Sequence, residues 1–294
     1  MRCELGIFLY IRMCEKVASY GKKNSFTYLA AREEFPDHEI ESFDDFGDLV
    51  VAVIDGVCAT GIAPFYNTNR LGIHDAQTAL KAHKGEVYIS GVVAKRIRHS
   101  LCGFGTLESI EEIRTKNVVF DQCSQQLARL REEVKQDGDS YTNTAAAIES
   151  LKNLGDGDRE RIAAIGARAA ADSHNIPILV ESFENPKNVT LFWKLSRDEP
   201  ITVESERILV LITDASEDKL NEIREAISEA GLRMSCGWRL SNSDEHFVEI
   251  DSFYDNLALH SLCENLISRG DVLLVGGYDT AVKSALMAAI ESET

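Results

Sequence analysis

The stretch Asn188-Val189-Thr190-Leu191-Phe192 ends a long Ala-rich segment and reads as a capped entry into a strand running Thr190 to Leu195. Four other polar clusters precede it in order: Lys22-Lys23-Asn24-Ser25-Phe26, Ala63-Pro64-Phe65-Tyr66-Asn67-Thr68, Thr115 to Cys123, and Tyr141-Thr142-Asn143-Thr144-Ala145-Ala146-Ala147. They are rich in Thr, Asn, Gln and Ser, a set of neutral donors and acceptors. Each alone has a plain structural reading as a turn or a helix cap. Their weight lies in the ordered set.

Around these clusters, short apolar strands alternate with helical patterns, which points to an α/β domain. Strands are predicted at Val17 to Tyr20, Glu39 to Phe43, Thr60 to Phe65 (halted by Pro64), Ile89 to Ile97 and Ile176 to Val180. Helices are predicted after Ser25, from Asp45 to Asp55, between Phe120 and Val134, from Thr144 to Leu154, and from Arg159 to His174. Arg197-Asp198-Glu199-Pro200 is the best linker. Beyond it the order is βαββαβ, with Asp214 and Glu217 opening the first helix, Leu220, Ile223 and Ile227 as its stripe and Gly231 as its stop.

The 294 residues suffice for two domains and a sizeable core, and 44% apolar residues excludes wholesale disorder. With 31 basic against 48 acidic residues the net charge is −17, which argues against a nucleic acid or an anionic membrane as partner. An anionic substrate would need a local positive island, for which Lys22, Lys23, Arg70 and Lys116 are candidates. The cysteines Cys3, Cys14, Cys58, Cys102, Cys123, Cys236 and Cys263 are scattered, without metal-ligand spacing, and read as reduced thiols in a cytoplasmic protein. The apolar run Leu5 to Ile11 is too short to span a bilayer, and residues 1 to about 15 read as an extension. His99, beside Lys95, Arg96 and Arg98, reads as part of a solvated basic strand end. His74-Asp75 reads as a helix start, and Gly276-Gly277 as a loop feature without the dinucleotide fingerprint.

In order and spacing the polar clusters resemble those of the prephenate dehydratase family. The resemblance implies a bilobed, periplasmic-binding-protein-like (type II) α/β catalytic domain over residues 16–197, followed by a ferredoxin-like ACT domain over 204–294. By match, Thr190 takes the role of assisting hydroxyl loss, with Asn67, Gln122 and Thr115 as its catalytic companions. Ser25, Thr68, Asn143, Thr144 and Arg70 are implied substrate-binding positions, with free N–H groups at the helix entry near Thr144 suited to a carboxylate. The implied activity is decarboxylating dehydration of prephenate to phenylpyruvate, a lyase step of phenylalanine biosynthesis. It needs no metal or organic cofactor, and the protein is expected to associate as a homodimer or homotetramer through the ACT-like domain.

Several positions depart from the family pattern. Leu191 stands in place of Arg, Tyr66 in place of Glu, Lys116-Asn117 in place of His-Pro, and Asn24 in place of Gly. Tyr66 and Leu191 are compatible with joint loss of an ion pair, which would leave no lone buried charge. In the C-terminal segment Asp218-Lys219-Leu220 and Trp238-Arg239-Leu240-Ser241 match the family's phenylalanine-sensing motifs, and only Leu220 survives. Asp218 would add bulk and negative charge beside an amino-acid carboxylate, so weak phenylalanine binding is expected there. Prephenate decarboxylation without hydroxyl loss, arogenate as substrate, and a non-catalytic ligand-binding paralogue are the alternative readings.

Overall fold

The structure, a computed structural model, describes residues 16–69, 71–72, 74–130, 133–198, 207–212, 216–239, 246–251, 257–270 and 272–278. The N-terminal extension, Arg70, Glu199-Pro200, Asp214 and Leu240-Ser241 lie outside these residues. Two α/β lobes and a C-terminal βαββαβ unit make up the described fold.

The first lobe runs through β1 (Lys16–Tyr20), α1 (Phe26–Glu34), β2 (Glu39–Phe43), α2 (Phe46–Ile54), β3 (Thr60–Asn67), β4 (Leu71–Gly72), α3 (His74–Ala82) and β5 (Tyr88–Arg96). Ser25 caps α1 by accepting the Tyr28 N–H at 3.3 Å, and Asp45 caps α2 through the N–H groups of Gly47 and Asp48. Asn24 has φ +67°, a left-handed conformation that Asn tolerates better than most residues other than Gly. The apolar side of α2 (Leu49, Val50, Val53) is buried in the lobe's main core; burying each such side chain is worth about 1.5–3 kcal/mol.

The second lobe comprises β6 (His99–Gly103), β7 (Glu112–Arg114), α4 (Asn117–Gln122), α5 (Ser124–Leu127), β8 (Lys135–Asp137), α6 (Thr144–Ser150), α7 (Asp156–Arg159), β9 (Ile162–Ala167), α8 (Arg168–Ser173) and β10 (Ile178–Val180). Its sheet has the order β10-β6-β9-β7-β8. Two sequence expectations fail here. The Ala-rich helix expected from Arg159 is instead β9, an all-buried strand followed by short α8. A strand covered on both faces shows no alternation, and its small residues admit close helix packing, so the period misled. At Gly166 an added Cβ would lie 2.7 Å from Ile148 Cδ1 of α6. The surface helix expected from Phe120 to Val134 is likewise broken: Cys123 ends α4, and α5 stops at Leu127.

The chain then returns to the first lobe as β11 (Val189–Ser196), which lies antiparallel between β3 and β5. Along β11 the register slips by one residue of β3. Leu191 pairs with Tyr66 but Phe192 pairs with Pro64, leaving Phe65 as a bulge. The strand thus continues through Pro64, which was expected to stop it; a bulge is one of the few sheet positions that accept proline. The extra residue re-aims the strand end: Phe65 and Tyr66 both pack toward the core, while Pro64 and Asn67 face the space between the lobes.

The C-terminal unit follows as β12 (Arg207–Ile212), α9 (Glu217–Glu229), β13 (Arg233–Arg239), β14 (His246–Asp251), α10 (Leu257–Ser268) and β15 (Val272–Tyr278), with sheet order β13-β14-β12-β15. This is the ferredoxin-like topology expected. Ser216, rather than the expected Asp214, caps α9 by accepting the Lys219 N–H at 3.2 Å.

The unit's sheet continues into the first lobe. β15 pairs in parallel with β5 at Gly276 and Ile89, giving a ten-stranded sheet. Gly276 has φ +143°, and a Cβ there would lie 2.1 Å from the Ile89 carbonyl oxygen. Only glycine permits this approach without a shift of backbone. Behind the junction, Trp193 stacks on Phe65 (centroids 4.4 Å apart) and meets Phe247 of the C-terminal unit at 5.6 Å.

Candidate active site

Two segments cross between the lobes: Ile97-Arg98, and residues 181–188. They are tied together by Ile97 N–H to Asn188 C=O (2.8 Å) and Phe183 N–H to His99 C=O (2.8 Å). In front of them lies a cavity of about 360 Å³, walled by both lobes. Its size suits a small ligand. From the first lobe come Tyr20, Ser25, Asn67, Thr190 and Phe192, and from the second His99, Lys116, Gln122, Asn143 and Thr144. Among the described lining residues none is a carboxylate and Lys116 is the one formal cation; its ammonium lies 5.8 Å from the Tyr20 ring centroid.

The polar residues at the back of the cavity form a directed hydrogen-bond network. Asn67 spends both amide hydrogens, on the Asn188 side-chain oxygen (2.8 Å) and on Thr190 Oγ1 (2.9 Å), while its own oxygen accepts the Asn69 N–H (2.9 Å). Because Thr190 Oγ1 accepts from Asn67, its own O–H is the group left to donate toward a ligand. Asn188 passes the polarity on by donating to Gln122 Oε1 at 3.2 Å, and His99 Nε2 lies 2.9 Å from the same oxygen. The bulge at Phe65 makes this possible, since without the extra residue Asn67 would face the core.

Of the residues expected to form the site, Ser25, Asn67, Gln122, Asn143, Thr144 and Thr190 are brought together on this cavity. Asn143 also caps α6, its side-chain oxygen accepting the Ala146 N–H at 2.9 Å. Thr115 is placed differently. It is fully buried, donates its hydroxyl to the Ile165 carbonyl at 2.8 Å and is not part of the lining, so it serves as a strut between β9 and the start of α4. Thr68 is likewise turned away, accepting the Val189 N–H at 2.9 Å and so tying the end of β3 to β11. Arg70 lies outside the described residues. Within the expected cationic island, Lys22 instead reaches across the lobes to Glu149 at 3.3 Å. In the C-terminal unit Leu220 is a core residue, Asp218 is exposed on the first turn of α9, and the Trp238 side chain lies outside the described part.

Tyr66 and Leu191 are direct cross-strand partners on β3 and β11, packed with the same core. That adjacency is the geometry a joint replacement of an ion pair requires.

His99 overturns its sequence reading. It is 1% exposed and lines the cavity, rather than sitting at a solvated strand end. Burial pushes its pKa down to about 4, against a smaller upward effect of the Gln122 hydrogen bond, so the ring is neutral at physiological pH. Between pH 6.5 and 4 the unfolded chain therefore binds a proton at this position that the folded one does not. Its contribution to stability is whole above pH 6.5 and declines on acidification, at about 1.4 kcal/mol per pH unit, until the folded-state pKa is passed. Urea midpoints measured from pH 7 to 4 should carry this slope in the wild type, and lose it in His99→Gln.

Cys58, Cys102, Cys123 and Cys263 are free, and burial raises the pKa of Cys102 to about 12, of Cys263 to about 11, and that of Cys123 as well. At Cys102, Cys123 and Cys263 burial disfavours the thiolate a nucleophile needs.

With this geometry in view, the likeness to known proteins becomes specific. The prephenate dehydratase family model matches residues 17–200. A prephenate dehydratase of Methanocaldococcus jannaschii is 27% identical over 128 residues, covering 44% of this chain and 44% of that protein. The match to this curated relative thus spans less than half of its length. Among solved structures, prephenate dehydratase from Arthrobacter aurescens in complex with L-Phe is 19% identical with a TM-score of 0.73, covering 94% of this chain and 98% of that one. The Staphylococcus aureus prephenate dehydratase is 20% identical with a TM-score of 0.68, over 90% of this chain and 100% of that one. GqqA, described as a novel type of quorum quenching acylase, is 20% identical with a TM-score of 0.71, over 90% and 97%. These structures share the fold, and with the family model matching most of the chain, the protein belongs to the prephenate dehydratase family.

Proposed function

We propose that this protein is a prephenate dehydratase acting in phenylalanine biosynthesis. The observation that carries the reading is the Asn67 to Thr190 hydrogen bond, which leaves the Thr190 hydroxyl as a donor facing a cavity between two lobes. Fold alone does not choose a chemistry; this oriented donor supports one. In the reaction the ring carboxylate leaves as carbon dioxide, its bonding electrons enter the ring, and the hydroxyl at the far carbon departs with the electron pair of its C–O bond and takes up one proton, drawn in net from solvent, to become water. Aromaticity supplies the drive, so the protein has to orient both leaving groups and stabilise the oxygen as it gains negative charge. Thr190 donates to that oxygen, and the Gln122 amide is a second neutral donor beside it. Lys116 offers the cavity's formal positive charge to a carboxylate of the substrate. The mostly apolar wall, including Phe192 and Val119, disfavours a solvated ring carboxylate and so favours its loss.

Within this reading, residues 16–197 are the catalytic unit and 204–294 an ACT-like unit through which copies associate in the cytoplasm. Incubating the purified protein with prephenate tests the activity. Phenylpyruvate formation supports it; a non-aromatic hydroxylated product would mean decarboxylation alone, and tight binding without turnover would mean a sensor.

A further inference from the structure

We propose that His99 is a positioning residue of this site: its Nε2–H, donated to the Gln122 side-chain oxygen, holds the amide so that the Gln122 N–H₂ group is presented to the cavity. The proposal rests on the dehydratase reading for its kinetic consequence, but not for its geometry.

Gln122 Oε1 accepts from Asn188 Nδ2 at 3.2 Å and lies 2.9 Å from His99 Nε2. The Asn69 backbone N–H fixes Asn67 as donor to Asn188, and Asn188 in turn as donor to Gln122, so a flipped Gln122 amide would set its N–H₂ group against that of Asn188; the tautomer that suits the Gln122 oxygen is therefore Nε2–H. Among the described hydrogen bonds the Gln122 nitrogen has no protein partner, and the residue lines the cavity, so its amide hydrogens are available to a ligand.

Several contacts fix the imidazole itself. His99 opens β6 immediately after the first crossover. Its backbone N–H is donated to Glu184 Oε2 at 2.7 Å, its carbonyl accepts the Phe183 N–H at 2.8 Å, and its ring meets Phe26 edge-on at 4.9 Å. Donation from Nε2 makes Nδ1 the bare acceptor, and Nδ1 is buried without a hydrogen-bond partner. Such an orphan is unfavourable, and a ring serving only as packing would be better replaced by an apolar one. What the imidazole supplies is a rigid N–H at the oxygen of Gln122. Because His99 and Gln122 belong to the second lobe and Asn67 and Thr190 to the first, with Asn188 on the crossover between them, the network also keeps the two donor groups in register across the cleft.

The test compares His99→Leu, which removes the donor, with His99→Gln, whose amide N–H has about the reach of Nε2. His99→Leu should lower kcat on prephenate about tenfold with KM changed less than threefold, since it disturbs an aimed donor rather than ground-state binding. His99→Gln should recover most of that loss. Equal losses in both variants, or an unchanged kcat in His99→Leu, would overturn the proposal. The wild-type pH–rate profile should show no limb belonging to His99 between pH 5 and 8; the charged groups facing it are Glu184, which accepts its backbone N–H, and Lys116, which lines the same cavity. A limb near 6.5 that vanishes in His99→Gln would make the ring an acid–base catalyst and defeat the positioning role.

Nitrogen-15 NMR of the imidazole in the unliganded full chain needs no substrate. An Nε2–H tautomer persisting to pH 5 is expected, and an Nδ1–H tautomer or titration near 6.5 would overturn the placement. If the wild type fails to turn over prephenate, the dehydratase reading falls separately, and this spectrum decides the geometry of His99.

Discussion

Thr190→Ala is expected to lower kcat on prephenate by about 10²- to 10³-fold, the usual loss when one aimed donor to developing negative charge is removed. Thr190 Oγ1 accepts from Asn67 and lines the cavity, which leaves its own O–H to donate to a ligand there. The fold should survive. Removing the hydroxyl leaves one Asn67 N–H without that partner, a cost of about 1–2 kcal/mol and a fall of a few degrees in thermal midpoint for a chain of this size. Thr190→Ser, which keeps the hydroxyl but not the methyl group, should retain most of the rate. Steady-state assay of phenylpyruvate together with thermal melting separates the outcomes: an unchanged kcat in Thr190→Ala would sink the assignment, whereas a collapsed melting curve would mean that the side chain is structural.

Trp193→Ala is expected to be the most destabilising single truncation, at about 3–5 kcal/mol. The indole is fully buried, stacks on Phe65 almost parallel and touches Phe247 of the C-terminal unit. Little in this packed sheet can collapse to fill the space. Its ring nitrogen has no hydrogen-bond partner, so Trp193→Phe forfeits volume but no polar contact and should cost far less. Urea denaturation followed by circular dichroism checks both. Similar midpoints for the alanine variant and the wild type would show that the junction between the units carries little of the stability.

The fold was legible in the sequence where periodicity and caps agreed. Ser25, Asp45 and Asn143 each announce a helix and each caps one, and the βαββαβ order of the C-terminal unit is the order observed. It was illegible at Ile162–Ala167, where a strand buried on both faces has the composition of an Ala-rich helix. Cavity-lining residues were legible through resemblance when they lie at strand ends and helix entries around the cleft, as Asn67, Gln122, Thr144 and Thr190 do. Thr115 shows the limit of this. Its position matches a family motif, but its hydroxyl is consumed by the Ile165 carbonyl. His99 and Asn188 were missed as network members because their role depends on burial and on two crossovers meeting, neither of which neighbouring residues reveal. The charged neighbours Lys95, Arg96 and Arg98 in fact pointed the other way.

The meeting of Gly276 with Ile89 has a further consequence for how such a protein is inherited. Without the C-terminal unit, Ile89 of β5 would lose its backbone neighbour and Trp193 its cover from Phe247, leaving a strand edge and an apolar face open to any passing chain. A fragment ending near residue 198 should therefore aggregate rather than persist as a free enzyme. Recombination faces the same constraint: a tail borrowed from a relative would seat here only if it brings a residue without a side chain to that one crossing of backbones.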